Sequence, residues 1–494
     1  MCGIAALWGA SERQTIEAML ATQAHRGPDG RGVSEAGGGQ GMLGHCRLAI
    51  IDPAGGMQPL KEADKGWILV ANGMIYNDRD LRRERKEADF QTGSDSESIL
   101  HSVARDGLAA VARLDGMFAF VMTDGQRLLA ARDPIGIKPL YIGKRGEQLL
   151  FASEIKVLEK IADSIEEFPA GCYFDSQSGL HRFYAVPKAQ AKSWQLDDAL
   201  AAVRETLGRA VTKRLRSDVA FGAFLSGGLD SSVIAALAAQ EVEDLKTFAV
   251  GFEGSPDLLA ARRVARHIGS DHRELTITPE EVLKELPEIL YHLESFDQDL
   301  VRSALPCWFV SRFAAEEVKV VLTGEGADEL FAGYTYYRDL SDPGDLADEL
   351  RNSIARMHNI NLQRVDRMSM AHGLEARVPF LDREMIALGM ALPVEWKLTE
   401  VEDERVEKWI LRKAFEDLLP PEIVWRSKLQ FDQGSGVADY AIQEIERLAQ
   451  NSGVARDGVR SAEEAYYRAL LADSFDNPQL VLDLVSHWDT REAA

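Results

Sequence analysis

Cysteine is scarce: the 494-residue chain has four, Cys2, Cys46, Cys172 and Cys307. They stand far apart, without CxxC or zinc-ligand spacing, which argues against a disulfide framework and for a reducing compartment. Positive charge is also in short supply, with 56 Lys and Arg against 79 Asp and Glu and a net charge of −23. Such a chain exerts no long-range pull on nucleic acid or an anionic membrane. No apolar run approaches the ~20 residues that span a bilayer. The apolar start at residues 3–10 lacks the basic segment that precedes a signal-peptide core. The GxxxxGK[ST] phosphate loop is missing too. What remains, 46% apolar and 27% charged, is an ordinary globular composition of a length that suggests two or three domains.

What is present centres on residues 219–225, an apolar run of strand length. It ends in Ser226-Gly-Gly-Leu-Asp-Ser-Ser232 and passes into an Ala-, Leu- and Ile-rich stretch. A strand that turns through glycines into a helix leaves backbone N–H groups and the helix dipole facing the turn, a setting for an anion. Gly227 and Gly228 let the backbone approach that anion, and the hydroxyls of Ser226, Ser231 and Ser232 add donors. Asp230 makes sense beside a phosphate mainly as a magnesium ligand. A bare Ser-Gly-Gly is more often a capped turn; the longer Ser-Gly-Gly-x-Asp-Ser-Ser favours a nucleotide. The stretch resembles the pyrophosphate loop of the ATP-pyrophosphatase family, which implies cleavage of ATP to AMP and pyrophosphate.

Residues 1 to about 185 are expected to be β-rich, with strands near 3–8, 41–46, 67–72, 117–123, 127–132, 139–143 and 148–153. Helices are expected over 12–23 and 95–105. Pro, Lys, Gln and Ala replace the apolar pattern over 185–193, which reads as a linker. A long amphipathic helix is expected over 196–215. Beyond it, strands at 219–225, 245–252, 272–277 and 318–322 alternate with helices. That alternation implies a parallel sheet with ligands at the carboxyl ends of its strands. The remainder, from about residue 330, reads as mostly helical.

Removal of Met1 would leave the Cys2 thiol beside a free α-amine. Such an amine titrates near about 8 and can take the thiol proton at neutral pH. A lone Cys2 is ordinarily an inert buried residue. Here it opens an ordered set: Met1-Cys-Gly-Ile4, His25-Arg-Gly-Pro-Asp29, His45-Cys-Arg-Leu48, Ala71-Asn-Gly-Met-Ile-Tyr-Asn77, Thr92-Gly-Ser-Asp95 and Asp115-Gly-Met-Phe-Ala-Phe120. These resemble the glutaminase domain of the N-terminal-nucleophile amidotransferases. With the Ser226 loop, Thr323-Gly-Glu-Gly-Ala-Asp-Glu329 and the block 373–382, nearly the whole chain resembles the glutamine-hydrolysing asparagine synthetases of the bacterial B type. The implied fold is an α+β N-terminal-nucleophile hydrolase domain with antiparallel sheets, residues 1–190. An α/β parallel-sheet ATP-pyrophosphatase domain with a mostly helical end, residues 196–494, would follow.

The resemblance also implies roles. Cys2 would attack the side-chain amide of glutamine, with Asn72 and the N–H of Gly73 holding the oxyanion. Arg47 would grip the glutamine carboxylate and Asp95 its ammonium group. Leu225, Val250, Thr323 and Gly324 would surround AMP, and the turn of Ser226, Gly227, Gly228, Ser231 and Ser232 would take the pyrophosphate. Glu325 would order ammonia against the acyl-adenylate, Asp230 and Asp328 would hold Mg2+, and Lys428 would face the pyrophosphate. Arg302 and Arg377 would serve the acceptor and its adenylate. Two positions depart from the family. Met74 replaces a glutamate that helps bind the glutamine ammonium, and Asp299-Leu300 replaces two threonines that precede the arginine at 302.

The implied reaction converts aspartate, ATP and glutamine to asparagine, AMP, pyrophosphate and glutamate through a β-aspartyl-adenylate. The alternatives are the same chemistry on another carboxylate, to which Asp299 and Leu300 point, and a catalytically silent glutamine- or nucleotide-binding regulator, to which Met74 points. ATP and Mg2+ are the expected cofactors and the cytoplasm the expected compartment. The expected partners are small molecules, without nucleic acid or membrane; a homodimer is the one assembly entertained.

Overall fold

Along the strand Cys2–Trp8, side chains alternate between two cores. Ile4 and Ala6 meet Leu43, Val70, Val121 and Phe151 in the space between two sheets. Ala5 and Leu7 face the other way, onto Ile16, Met19 and Leu20 of the helix Arg13–Thr22. Both sheets are six-stranded and antiparallel. The first runs Ser164–Glu167, Tyr141–Arg145, Gln148–Ala152, Cys2–Trp8, Gly41–Arg47, Gly30–Glu35. The second runs Gly179–Arg182, Cys172–Asp175, Leu128–Arg132, Gly116–Thr123, Ile68–Ile75, Leu60–Lys61. The second sheet's outer face carries Ile99, Leu100 and Val103 of the helix Glu97–Asp106. All seven expected strands are present. Those not expected, such as Gly30–Glu35 and Gly179–Arg182, carry too few buried apolar positions to show a pattern.

The structure is a computed structural model and describes residues 2–62, 66–84, 90–188, 193–402, 404–429, 431–437 and 441–487. Met1, and residues 189–192 of the expected linker, lie outside that set. No helix among the described residues is long and apolar enough to cross a membrane.

After the linker, the helix Leu196–Arg214 buries Ala199, Val203, Leu207, Ala210 and Val211, one stripe at helical spacing. A five-stranded sheet follows in the order Asp271–Thr276, Lys246–Gly251, Phe221–Phe224, Val320–Leu322, Glu375–Arg377, all neighbours parallel. The edge strand Glu375–Arg377 was not expected, because two of its three residues are charged. Both are buried, and they satisfy each other, Arg377 Nε donating to Glu375 Oε1 at 2.6 Å.

Where the halves meet, charge is buried on both sides. Arg26, Lys138, Glu154 and Lys156, from loops and single turns beside the antiparallel sheets, face Glu294 at the end of one helix and Asp366 and Arg367 within another, and none is more than 2% exposed. Arg26 lies 2.7 Å from Glu154 and 2.8 Å from Asp366; Lys156 lies 2.9 Å from Glu154, and Arg367 2.8 Å from Glu294. Arg26 Nε also donates to the Cys2 carbonyl at 3.2 Å, so the network reaches the first residue of the first strand. Ions this far from water persist only as a balanced set, and removing one leaves its partners unpaired at a cost of about 3–5 kcal/mol. Asp366→Ala should therefore lower the thermal unfolding midpoint markedly in a calorimetric scan. Asp476→Ala, at the exposed pair with Lys160, should leave the midpoint where it is.

Candidate active sites

The antiparallel register sets Cys2 opposite Arg47. The backbone N–H of Cys2 donates to Asn72 Oδ1 at 3.0 Å. The other end of that amide, Asn72 Nδ2, is buried with no hydrogen-bond partner among the described residues. A buried donor without an acceptor is costly unless a ligand completes it, and an oxyanion formed at Cys2 would. Burial raises the pKa of the Cys2 thiol, so the thiolate is disfavoured until a base takes the proton. Arg47 is held by a loop: its guanidinium donates to the carbonyl of Pro53 at 3.0 Å and of Asp52 at 2.6 Å. Gly56 fits between Arg47 and Ser94, which brings the segment carrying Asp95 alongside. Asp95 accepts from the Ile75 N–H at 2.7 Å, and burial pushes its pKa up to about 6. Cys2, Arg47, Asn72, Gly73 and Asp95 thus share one neighbourhood. Met74 points elsewhere, 2% exposed and packed with Leu48, Ile50, Ile51 and Met117.

The second site lies where the strand order of the parallel sheet reverses. Phe221–Phe224 is the central strand, so the crevice at its carboxyl end opens between outgoing connections. Gly227 has φ of 71°, and a Cβ there would sit 2.4 Å from the Ala261 nitrogen. A Cβ on Gly324 would sit 2.8 Å from Asp230 Cβ. The Ser226 and Thr323 loops therefore touch, and only glycine fits at either point. A cavity of about 480 Å³ opens beside them. Leu225, Ser226, Gly228, Asp230, Ser231, Val250, Thr323 and Gly324 line it, together with Glu325, Asp328 and Lys428. Gly227 and Ser232 stand behind this wall.

Two further expected residues, farther off, are not brought to the cavity. Arg302 turns away to Glu463, with contacts of 3.0 and 2.5 Å. Arg377 is fully buried and donates to the carbonyls of Arg214 and Arg216 at 2.5 and 2.6 Å, closing the carboxyl end of the helix Leu196–Arg214.

The electrostatic centre of the cavity includes a residue the sequence did not single out. Lys408 Nζ lies 2.5 Å from Asp230 and 2.6 Å from Asp328, bridging the two carboxylates, while Lys428 reaches Asp328 at 2.8 Å. Burial would raise the Asp328 pKa, yet the two lysines hold it well below the ordinary carboxylate range. Asp230 Oδ1 is buried without a hydrogen-bond partner among the described residues, an acceptor suited to a cation. Lys408 sits at φ 55° ahead of the short helix Trp409–Ala414. It belongs to no glycine-rich motif; only the need to balance two acids could have called for it. Arg364, paired with Glu325, and Asn361 and Tyr334, which donate to Glu329 at 2.8 and 2.6 Å, were likewise not foreseen.

Residues 1–186 match the glutamine amidotransferase domain family, and residues 202–353 and 339–489 match the asparagine synthase family. The glutamine-hydrolysing asparagine synthetase 2 of Arabidopsis thaliana is 38% identical over 509 residues, covering 96% of this chain and 87% of that protein. The glutamine-hydrolysing asparagine synthetase of Sandersonia aurantiaca is 37% identical over 507 residues, covering 96% of each. With both family matches and full-length identity at this level, the chain belongs to the glutamine-hydrolysing asparagine synthetases.

Proposed function

We propose that the protein amidates aspartate to asparagine with nitrogen taken from glutamine, at the expense of ATP. The observation that carries this is the joining of two different sites by one apolar cluster. That cluster runs from Leu48, Ile50, Met74 and Met117, beside the Cys2 site, to Leu225, Leu322 and Ala327 at the ATP crevice. Such side chains exclude the bulk water that would protonate ammonia between the two sites.

In the first site the Cys2 sulfur attacks the amide carbon of glutamine, and ammonia leaves. The resulting thioester is hydrolysed by water to glutamate and free thiol. Asn72 Nδ2 and the Gly73 N–H stabilise the oxyanion, while Arg47 and Asp95 hold the amino-acid end. In the second site a β-carboxylate oxygen of aspartate attacks the α-phosphorus of ATP, and pyrophosphate leaves. Ammonia then attacks the acyl carbon, AMP departs with that oxygen, and a proton is released to solvent. Lys408 and Lys428 neutralise the departing pyrophosphate, and Glu325 orients ammonia. The carboxylates of Asp230 and Asp328 fit a magnesium ion, which would supply phosphate charge neutralisation when bound.

The glutaminase domain spans 1–190 and the synthetase domain 196–494 in this reading, with small-molecule substrates only and a cytoplasmic setting. The test is product analysis with aspartate labelled by oxygen-18 in its β-carboxylate. Asparagine, glutamate, pyrophosphate and labelled AMP should appear in equal amounts. ADP with orthophosphate, or unlabelled AMP, would overturn the adenylation.

A further inference from the structure

The helix Gln298–Ala315 turns one stripe toward the ATP cavity: Asp299, Leu300, Ser303, Cys307 and Val310. Asp299 is the charged member of that stripe, and its side chain is 42% exposed. Its neighbour outside the cavity is Arg460, at 3.2 Å, but that guanidinium is already committed. It lies 2.5 Å from Asp297 and 2.8 Å from Glu464, so it is divided among three carboxylates; His487, 3.4 Å from Asp297 and from Glu464, faces those two and not Asp299. Asp432 adds a further carboxylate to the cavity wall.

Cations do face the cavity, yet among the described residues each is paired. Lys408 meets Asp230, Lys428 meets Asp328, Arg364 meets Glu325, Arg412 meets Glu407 and Arg426 meets Asp257. The lysines gather at the phosphate-binding loops, whereas Asp299 leaves the far wall negative. The Ser303 hydroxyl, one turn on, donates back to the carbonyls of Asp299 and Leu300 at 3.1 and 3.0 Å. Its oxygen lone pairs are left to accept from a ligand.

We propose that Asp299 is the counter-ion of the acceptor's α-ammonium group, with the Ser303 oxygen as a second acceptor, so that this wall selects an amino acid over a plain dicarboxylate. The inference rests on the amidation of aspartate proposed above. Aspartate brings two carboxylates and one ammonium group. With the reacting carboxylate at the ATP loops, a second carboxylate against Asp299 would be repelled, whereas the ammonium is attracted. Asp299 is then a specificity-determining residue, where the sequence alone pointed to another carboxylate acceptor.

The experiment follows pyrophosphate release from ATP with ammonium as nitrogen source, offering aspartate or succinate, the same dicarboxylate without its amino group. The unaltered enzyme should prefer aspartate by at least tenfold in kcat/KM. In Asp299→Asn that ratio should fall at least tenfold, through a higher KM for aspartate. Should that variant fail to fold, as judged by circular dichroism, Asp299→Thr gives the same readout. An equal loss with both acceptors would mean that Asp299 only anchors Arg460, and would overturn the inference. A lowered KM for aspartate, or succinate used as well as aspartate by the unaltered enzyme, would overturn it too. No release at all with aspartate would bring down the function itself and this inference with it.

Discussion

Cys2→Ala should lose glutamine-dependent asparagine synthesis entirely while continuing to make asparagine from added ammonium. In the proposed mechanism the thiol is the nucleophile, and Asn72, Arg47 and Asp95 only bind or polarise. The Asn72 donor has nothing to stabilise if no tetrahedral oxyanion forms. Among the described residues the adenylating crevice draws none of its lining from before Phe224, so it should keep working on free ammonia. Paired assays of glutamate release and of ammonium-dependent AMP formation separate the two. Equal loss of both activities would contradict a two-site enzyme.

The second large effect is expected at Lys408. Its side chain is 2% exposed and bridges Asp230 and Asp328, the two acids proposed to flank the departing pyrophosphate. Lys408→Met keeps most of the side-chain volume and removes the charge. Two buried carboxylates then face each other with Lys428 as the remaining cation, and the polyanionic triphosphate of ATP arriving beside them meets net repulsion. A fixed charge of this kind typically contributes about 10²–10³ in rate, so AMP formation should fall by roughly that factor. Lys408→Arg should not restore it, because the chain passes tightly against Gly333, where even an added Cβ would come within 2.2 Å of Lys408 Cε. Glutamate release from glutamine at Cys2 reports separately on folding. AMP formation within a few-fold of the unaltered enzyme would show that Lys428 suffices.

Legibility in the sequence followed locality. The helix Leu196–Arg214 was visible because its buried stripe repeats within 19 contiguous residues. The Ser226 and Thr323 loops were visible because strand, glycine turn and helix are consecutive, and both loops line the cavity. The strand Glu375–Arg377 was hidden because its charges are satisfied only within the fold. Arg302 and Arg377 stood in the right blocks of sequence, but spacing says nothing of which way a side chain turns, and these turn to Glu463 and to the end of a helix. Asp299 was legible as an oddity; that its outside neighbour Arg460 lies 161 residues downstream and is shared with two other acids was not.

The buried charges between the halves also set an order of events during synthesis. Arg26, Lys138, Glu154 and Lys156 emerge from the ribosome early, three cations to one acid. Their counterparts Glu294, Asp366 and Arg367 follow the last of these, Lys156, by roughly 140 to 210 residues, about 7–40 s at ordinary rates of elongation. Through that interval the nascent amino-terminal half presents an excess of positive charge that water must solvate. The interface cannot dry until the last helix bearing Asp366 and Arg367 has been made. Closure of the enzyme is thus delayed by its own chain order, and a ribosome stalled before residue 366 would hold a half-enzyme with a wet, cationic face.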